Sequence, residues 1–286
     1  MTDLPTTPLP ATALPTTPLP TLAVHELHSG GGVPIVLLHA FPFDHRMWTP
    51  TAAALPQHVR AVGVDLPGQG YSASGNMAAN IDLVAEAVYR TLQGNGIGNA
   101  IVVGTSMGGY VALALTERHP AFVAGLGLVD TKSTADSPEA VERRLRIARE
   151  LEMGSTLQPV LALPSQLLGE TSLRERRQLL PTLDSWVHSQ SPRGLAWALR
   201  TMARRPDRTE TLKMFTGPVS VVVGEEDSVT PLSEAEHMRD AAPDAVLTVV
   251  PRAGHLAALE EPQAVAAALT LLHRRVVRRA APRRPF

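Results

Sequence analysis

The feature that most constrains the fold is a series of short apolar runs, each ending in a small or polar residue and followed by a longer helix-like stretch. Pro34 to Leu38 ends at His39, Arg60 to Val64 at Asp65, Ala100 to Val103 at Gly104, and Val219 to Val223 at Gly224. Leu126 to Val129 before Asp130, and Ala245 to Val250 before Pro251, read the same way. The runs are nearly all apolar rather than alternating, as strands are when helices cover both faces of a sheet. Alternation of such strands with helices dictates βαβ units and a mostly parallel sheet.

Residues 133–211 break the rhythm. Pro138 to Leu151, Leu173 to Ser189 and Arg193 to Ala203 read as amphipathic helices with no strand between them. Ligands of open α/β sheets bind beyond the carboxyl ends of the strands, so a helical insertion there is expected to cover the site as a lid. The expected organisation is a core of residues 23–132 and 212–272, a helical lid of 133–211, and two flanking segments. The first, residues 1–22, carries Leu-Pro-Thr-Thr-Pro-Leu-Pro twice, at 4–10 and 14–20. Proline at that density removes amide donors and favours polyproline II, so the segment reads as a disordered arm. The second, residues 273–286, reads as an arginine-rich tail.

The 286 residues, 44% of them apolar, suffice for one large α/β domain of roughly 250 residues. No apolar run approaches the ~20 residues that span a bilayer, and the start lacks a basic segment followed by an apolar one. The expectation is a soluble, cytoplasmic protein. The absence of cysteine excludes disulfides, thiolate metal sites and a cysteine nucleophile. Net charge is −1, and six arginines between Arg274 and Phe286 leave the rest near −7, which argues against a nucleic-acid face. No Walker loop, His-Glu-x-x-His or calcium-loop pattern occurs, so no cofactor or metal is implied. The sequence leaves the oligomeric state open.

The chemistry centres on Gly104-Thr105-Ser106-Met107-Gly108-Gly109, which follows a strand-like run and precedes the apolar helix-like stretch Tyr110 to Arg118. Alone, G-x-S-x-G arises by chance in roughly one chain in ten of this length, so its placement matters more than its letters. A sharp strand-to-helix turn holds a central serine above the sheet edge, and the flanking glycines let strand and helix approach. A serine hydroxyl needs a base, and the base an orienting acid. His255 in Gly254-His255, just after the last strand-like run, and Asp227 in Gly224-Glu225-Glu226-Asp227 supply them in the order this architecture uses. Glu225, Glu226 and Asp130 are rival acids. An oxyanion needs backbone donors: the Met107 amide at the helix start, and Phe41 on the loop after Leu38, where Pro42 has no N–H to offer. His39 is expected to orient that loop. Phe41, Phe43, Trp48, Met107, Trp186 and Trp197 are candidates for an apolar acyl pocket.

The His39-Ala40-Phe41-Pro42 loop, Asp65-Leu66-Pro67-Gly68-Gln69-Gly70-Tyr71-Ser72, the serine turn, Gly224 to Pro231 and Gly254-His255 together resemble the α/β-hydrolase superfamily over residues 33–272. Within it the chain is most similar to lidded serine esterases and enol-lactonases, and to cofactor-free haloperoxidases with the same triad. The resemblance implies the α/β-hydrolase fold, a mostly parallel sheet flanked by helices with a helical lid inserted after the sixth strand. It implies cleavage of a small carboxylic ester or lactone through an acyl-enzyme, with Ser106, Asp227 and His255 catalytic. Acyl transfer or perhydrolysis on the same triad, and a ligand-binding receptor that retains it, are the alternatives. Members that open epoxides or carbon–halogen bonds carry aspartate at the turn, and Ser106 argues against that chemistry. Ala40 departs from the glycine usual in the first loop.

Overall fold

A computed structural model describes residues 18–280. Seven strands, β1 (Val24–His28), β2 (Gly31–Leu38), β3 (Val59–Val64), β4 (Ala100–Thr105), β5 (Val123–Val129), β6 (Val219–Gly224) and β7 (Ala245–Val250), form one sheet. Their order is β1-β3-β2-β4-β5-β6-β7, antiparallel for β1 on β3 and parallel elsewhere. Each of the six apolar runs is a strand. The central strands carry continuous Val, Ile and Leu because both faces are covered; β4 and β6 are buried throughout, and Ile35, Leu37, Ile101 and Leu126 are inaccessible.

The helices are α1 (Thr49–Ala53), α2 (Ile81–Gly94), α3 (Met107–Arg118), α4 (Pro138–Gly154), α5 (Leu163–Leu167), α6 (Glu170–Glu175), α7 (Leu179–His188), α8 (Pro192–Ala203), α9 (Thr209–Met214), α10 (Leu232–Ala241), α11 (Ala257–Glu260) and α12 (Pro262–Ala280). Local chemistry explains their starts. Asn80 accepts from the Asp82 and Leu83 amides at the head of α2. Ser137 and Ser191 cap α4 and α8, each followed by a proline whose missing N–H costs nothing at the first helical position. α3 is buried from Met107 to Thr116, which accounts for its unbroken apolar sequence. Among the described residues no helix is long and apolar enough to cross a membrane.

Three features differ from what the sequence predicts. The helical insertion leaves the sheet after β5 and rejoins it at β6, so five strands precede it rather than six. β1 is an additional strand: Val-His-Glu-Leu-His is a half-exposed edge segment and contains no apolar run to announce it. The stretch expected as one helix from Leu173 to Ser189 is two, α6 and α7. It breaks where the Arg176 guanidinium turns to the Ser172 hydroxyl (2.9 Å), the Arg252 carbonyl (3.0 Å) and Glu261.

Residues 1–17 of the proline-rich arm lie outside the described residues, but Leu22 is buried and its amide donates to Thr91 Oγ1 on α2 (3.1 Å). At the other end α12 continues to Ala280, through residues assigned to the tail. Arg275 there donates to the Val219 carbonyl (2.8 Å) and to Asp244. Residues 281–286 lie outside the described residues.

Parallel pairing brings the carboxyl ends of the strands to one edge: Leu38 stands opposite Gly104, Thr105 opposite Val129, Val129 opposite Val222, and Gly224 opposite Val250. The loops that follow carry His39 to Phe43, Ser106, Asp130, Asp227 and His255.

Candidate active site

Ser106 stands between β4 and α3 with φ 51° and ψ −113°, outside the regions open to most residues. The turn is held by the Ser106 amide on the Val129 carbonyl (3.0 Å) and by the Thr131 hydroxyl on the Ser106 carbonyl (2.8 Å). A Cβ on Gly104 would collide with the backbone of Gly108, and one on Gly108 with the Leu38 carbonyl. The spacing of the two glycines is therefore a packing requirement of the turn. In this conformation the Ser106 side chain caps no amide of α3, while its carbonyl accepts from the Gly109 (3.0 Å) and Tyr110 (3.3 Å) amides. The positive end of the α3 dipole lies at this turn, where it favours negative charge.

Three side chains from three loops meet there. Ser106 Oγ lies 2.9 Å from His255 Nε2, and His255 Nδ1 lies 2.9 Å from Asp227 Oδ2. Asp227 is also held by its own loop: Oδ1 accepts from the Val229 amide (2.8 Å) and the Thr230 amide (2.9 Å), and Oδ2 from the Thr230 hydroxyl (2.7 Å). Burial opposes the charge, but the hydrogen bonds from His255 and Thr230 hold Asp227 below the usual carboxylate range. An ionised Asp227 can only accept, which places the proton on Nδ1 and leaves Nε2 free to accept from the serine hydroxyl.

The rival acids are committed elsewhere. Glu226 accepts from the Thr171 amide (2.8 Å) and hydroxyl, and Glu225 reaches the Arg252 amide at 3.4 Å. Asp130 is inaccessible, and its oxygens accept from the Gly224 and Ala257 amides, both at 2.9 Å. Burial first, and the Asp227 charge second, raise the Asp130 carboxyl well above its ordinary value.

Phe41 follows β2 and Met107 opens α3, and neither amide donates to an acceptor among the described residues. His39 is buried, accepts from the Leu66 amide on Nε2 (2.8 Å) and bonds the Ala40 carbonyl through Nδ1 (3.0 Å). Burial depresses its basicity, as a ring that must accept at one nitrogen requires. It ties the loop after β2 to the loop after β3. Of the aromatic candidates, Phe43 and Trp48 are inaccessible core side chains and form no pocket wall. Trp186 meets Phe43 edge to face at 6.4 Å, and Trp197 Nε1 donates to the Met77 carbonyl (2.9 Å). A cavity of about 490 Å³ opens at the opposite end of the sheet between Glu117, Val123, Phe215 and Arg279, away from Ser106.

Sequence reasoning missed two sets of residues. Asp65, named above only as a strand end and the start of one motif, accepts from His25 Nε2 (3.0 Å), His45 Nδ1 (2.8 Å) and the His45 and Tyr71 amides. The His25 and His45 rings stack 3.4 Å apart at 10°. Among the described residues these three side chains are the one trio whose ligand atoms come within 4.8 Å of each other. Two parallel rings cannot both direct an in-plane lone pair at one ion, so the trio is better suited to clasping β1 to the loop after Phe41 than to coordination. Glu260, buried beside His255, is the second; two acids before a proline gave no sign beyond a helix start.

The alpha/beta hydrolase family model matches residues 35–268. A 2-succinyl-6-hydroxy-2,4-cyclohexadiene-1-carboxylate synthase of an Enterobacter species is 32% identical over 84% of the chain and 91% of its own length. The dihydrolipoyllysine-residue acetyltransferase component of an acetoin cleaving system from Pseudomonas putida is 30% identical over 84% of the chain, which spans 63% of that protein. Among solved structures, a thermophilic esterase from Thermogutta terrifontis superposes with a TM-score of 0.82 at 33% identity, covering 89% of this chain and 93% of that one. With the fold, the strained serine turn and the family match in agreement, the chain belongs to the α/β-hydrolase family.

Proposed function

We propose that the protein is a serine hydrolase that cleaves a small carboxylic ester or lactone through an acyl-enzyme on Ser106. The observation that carries this reading is the chain of two 2.9 Å hydrogen bonds from Asp227 through His255 to a serine strained at a helix head. His255 Nε2 takes the hydroxyl proton as Ser106 Oγ attacks the carbonyl carbon, and Asp227 stabilises the imidazolium. The negative oxygen of the tetrahedral intermediate rests on the Phe41 and Met107 amides, each worth about 3 to 4 kcal/mol at that stage. Collapse expels the alcohol, which takes the proton from His255; water then attacks the acyl-enzyme by the same sequence in reverse. The similarity to the Thermogutta terrifontis esterase supports an ester as the substrate class.

The test is a fluorophosphonate probe mapped by mass spectrometry, competed by a panel of activated esters and lactones. Labelling at Ser106, lost in Ser106→Ala together with at least a ~10³-fold fall in turnover, is the expected result. Full turnover by Ser106→Ala would sink the reading.

A further inference from the structure

The four consecutive amides around His255 are all held, and by unusual partners. The His255 amide donates to the Leu167 carbonyl at the end of α5 (2.9 Å), and the Ala257 amide to Asp130 Oδ2 (2.9 Å). The other two go to one carboxylate: Glu260 Oε1 accepts from Gly254 (2.9 Å) and from Leu256 (3.2 Å). Its second oxygen accepts from the Gly169 amide at the head of α6 (2.9 Å). Glu260 is 2% exposed, so no solvent competes for these donors. Gly169 and Gly254 approach so closely that a Cβ on either would strike the backbone of the other.

We propose that Glu260 is the positioning residue for His255, fixing the base on both sides and latching it to the helical insertion at Gly169. The inference rests on the reading of His255 as the base. A carboxylate suits the task because both oxygens only accept, and three amide donors converge on it. The environment shows what the latch costs. Burial raises the Glu260 carboxyl, while the Ser172 hydroxyl and the three amides draw it back. Asp130 and Asp227 are the other acids of this buried cluster. Placement is the function: a shift of about 1 Å in a base can cost on the order of 10²-fold in rate. Because Gly169 lies in the insertion above the site, a movement of that segment would be transmitted directly to the loop that carries His255.

Glu260→Gln tests this with little change in volume. Its amide nitrogen must face an amide N–H whichever way the side chain lies, so the latch breaks on one side. The expected result is a roughly 10- to 100-fold fall in kcat while KM stays within about twofold, with a parallel fall in fluorophosphonate labelling rate. In the proton NMR spectrum, the downfield His255 Nδ1–H resonance should broaden or shift while far-UV circular dichroism stays unchanged. A residue that merely fills the core would move neither kcat alone nor that resonance. If Glu260→Gln does not fold, Glu260→Asp keeps the acceptor chemistry while drawing the carboxylate back from the amides it spans, and is read the same way. Wild-type kcat and an undisturbed resonance in whichever variant folds would overturn the proposal. Failure of wild-type protein to label at Ser106 would instead defeat the serine-hydrolase reading, since the resonance reports the latch without any substrate.

Discussion

Ser106 carries a backbone conformation that its side chain does not favour, and the surrounding contacts keep it there. A residue held at φ 51° and ψ −113° costs on the order of 1 to 3 kcal/mol, which glycine would largely avoid. Ser106→Gly is therefore expected to abolish turnover and to raise the melting temperature by about 2 to 12 °C in calorimetry, since 1 kcal/mol moves a chain of this size by about 2 to 4 °C. Thr230 offers a milder probe of the same site. Its hydroxyl donates to Asp227 Oδ2 at 2.7 Å, and Thr230→Val deletes that donor at nearly constant volume. The expected loss is about tenfold in kcat, or about 1.4 kcal/mol of transition-state stabilisation. Asp227→Asn should lose about 10⁴-fold, because the amide no longer fixes the proton on Nδ1. Steady-state kinetics on an activated ester separates the two.

Among the elements, the helical insertion is joined to the core by more than its two covalent ends. The Arg205 guanidinium, 2% exposed, pairs with Asp136 at 2.8 Å, donates to the Thr134 carbonyl at 3.0 Å and lies 3.9 Å over the Tyr110 ring of α3. Arg144 also donates to Asp136 (2.6 Å) and Lys132 Nζ lies 3.5 Å from it, so removing Arg205 leaves the carboxylate still paired rather than bare. Arg205→Met should then cost about 2 to 3 kcal/mol, less than the roughly 3 to 5 typical of a broken buried pair, seen as a lower urea midpoint. This network was not legible in the sequence, because its partners come from loops whose meeting depends on the fold. What was legible was whatever repeats locally: the apolar runs marked β2 to β7, and glycine spacing marked the serine turn. β1 escaped because an edge strand needs no apolar run. The break between α6 and α7 escaped because it is set by what Arg176 reaches. Strand ends pointed to Ser106, His255 and Asp227, which the structure places in series at 2.9 Å, whereas Phe43 and Trp48 could not be told apart from pocket residues until their burial was seen. Glu260 illustrates the limit: it acts through backbone amides, which leave no mark on side-chain pattern.

For the whole molecule, pH response follows from its buried carboxylates. Asp65 and Asp136 are opposed by burial, yet hydrogen bonds from His45 and its neighbours to the first, and Arg205 and Arg144 to the second, hold both far below 3.8. Asp227 is shifted the same way. Groups whose folded pKa is depressed add stability that is present above the unfolded value and is lost as pH falls through the folded one. Asp130 and Glu260 are shifted upward and act in the opposite sense, protonating first in the folded state and only at higher pH. Stability should therefore fall most steeply as pH drops below about 4, where the depressed groups alone still respond. Melting temperatures measured from about pH 6 to 2 check this, and Asp65→Asn should flatten the curve.

The distance along the chain between the proposed nucleophile and its base has a temporal meaning. Ser106 and His255 are 149 residues apart, with the whole helical insertion and β6 between them. At about 5 to 20 residues per second, a ribosome that has released Ser106 needs roughly 7 to 30 s more to deliver His255. During that interval the nascent chain holds a serine without its proposed base, and β6 and Asp227 emerge only towards its end. On the proposed reading, an acyl-transfer centre built in this order stays chemically silent until the last third of the polypeptide has docked.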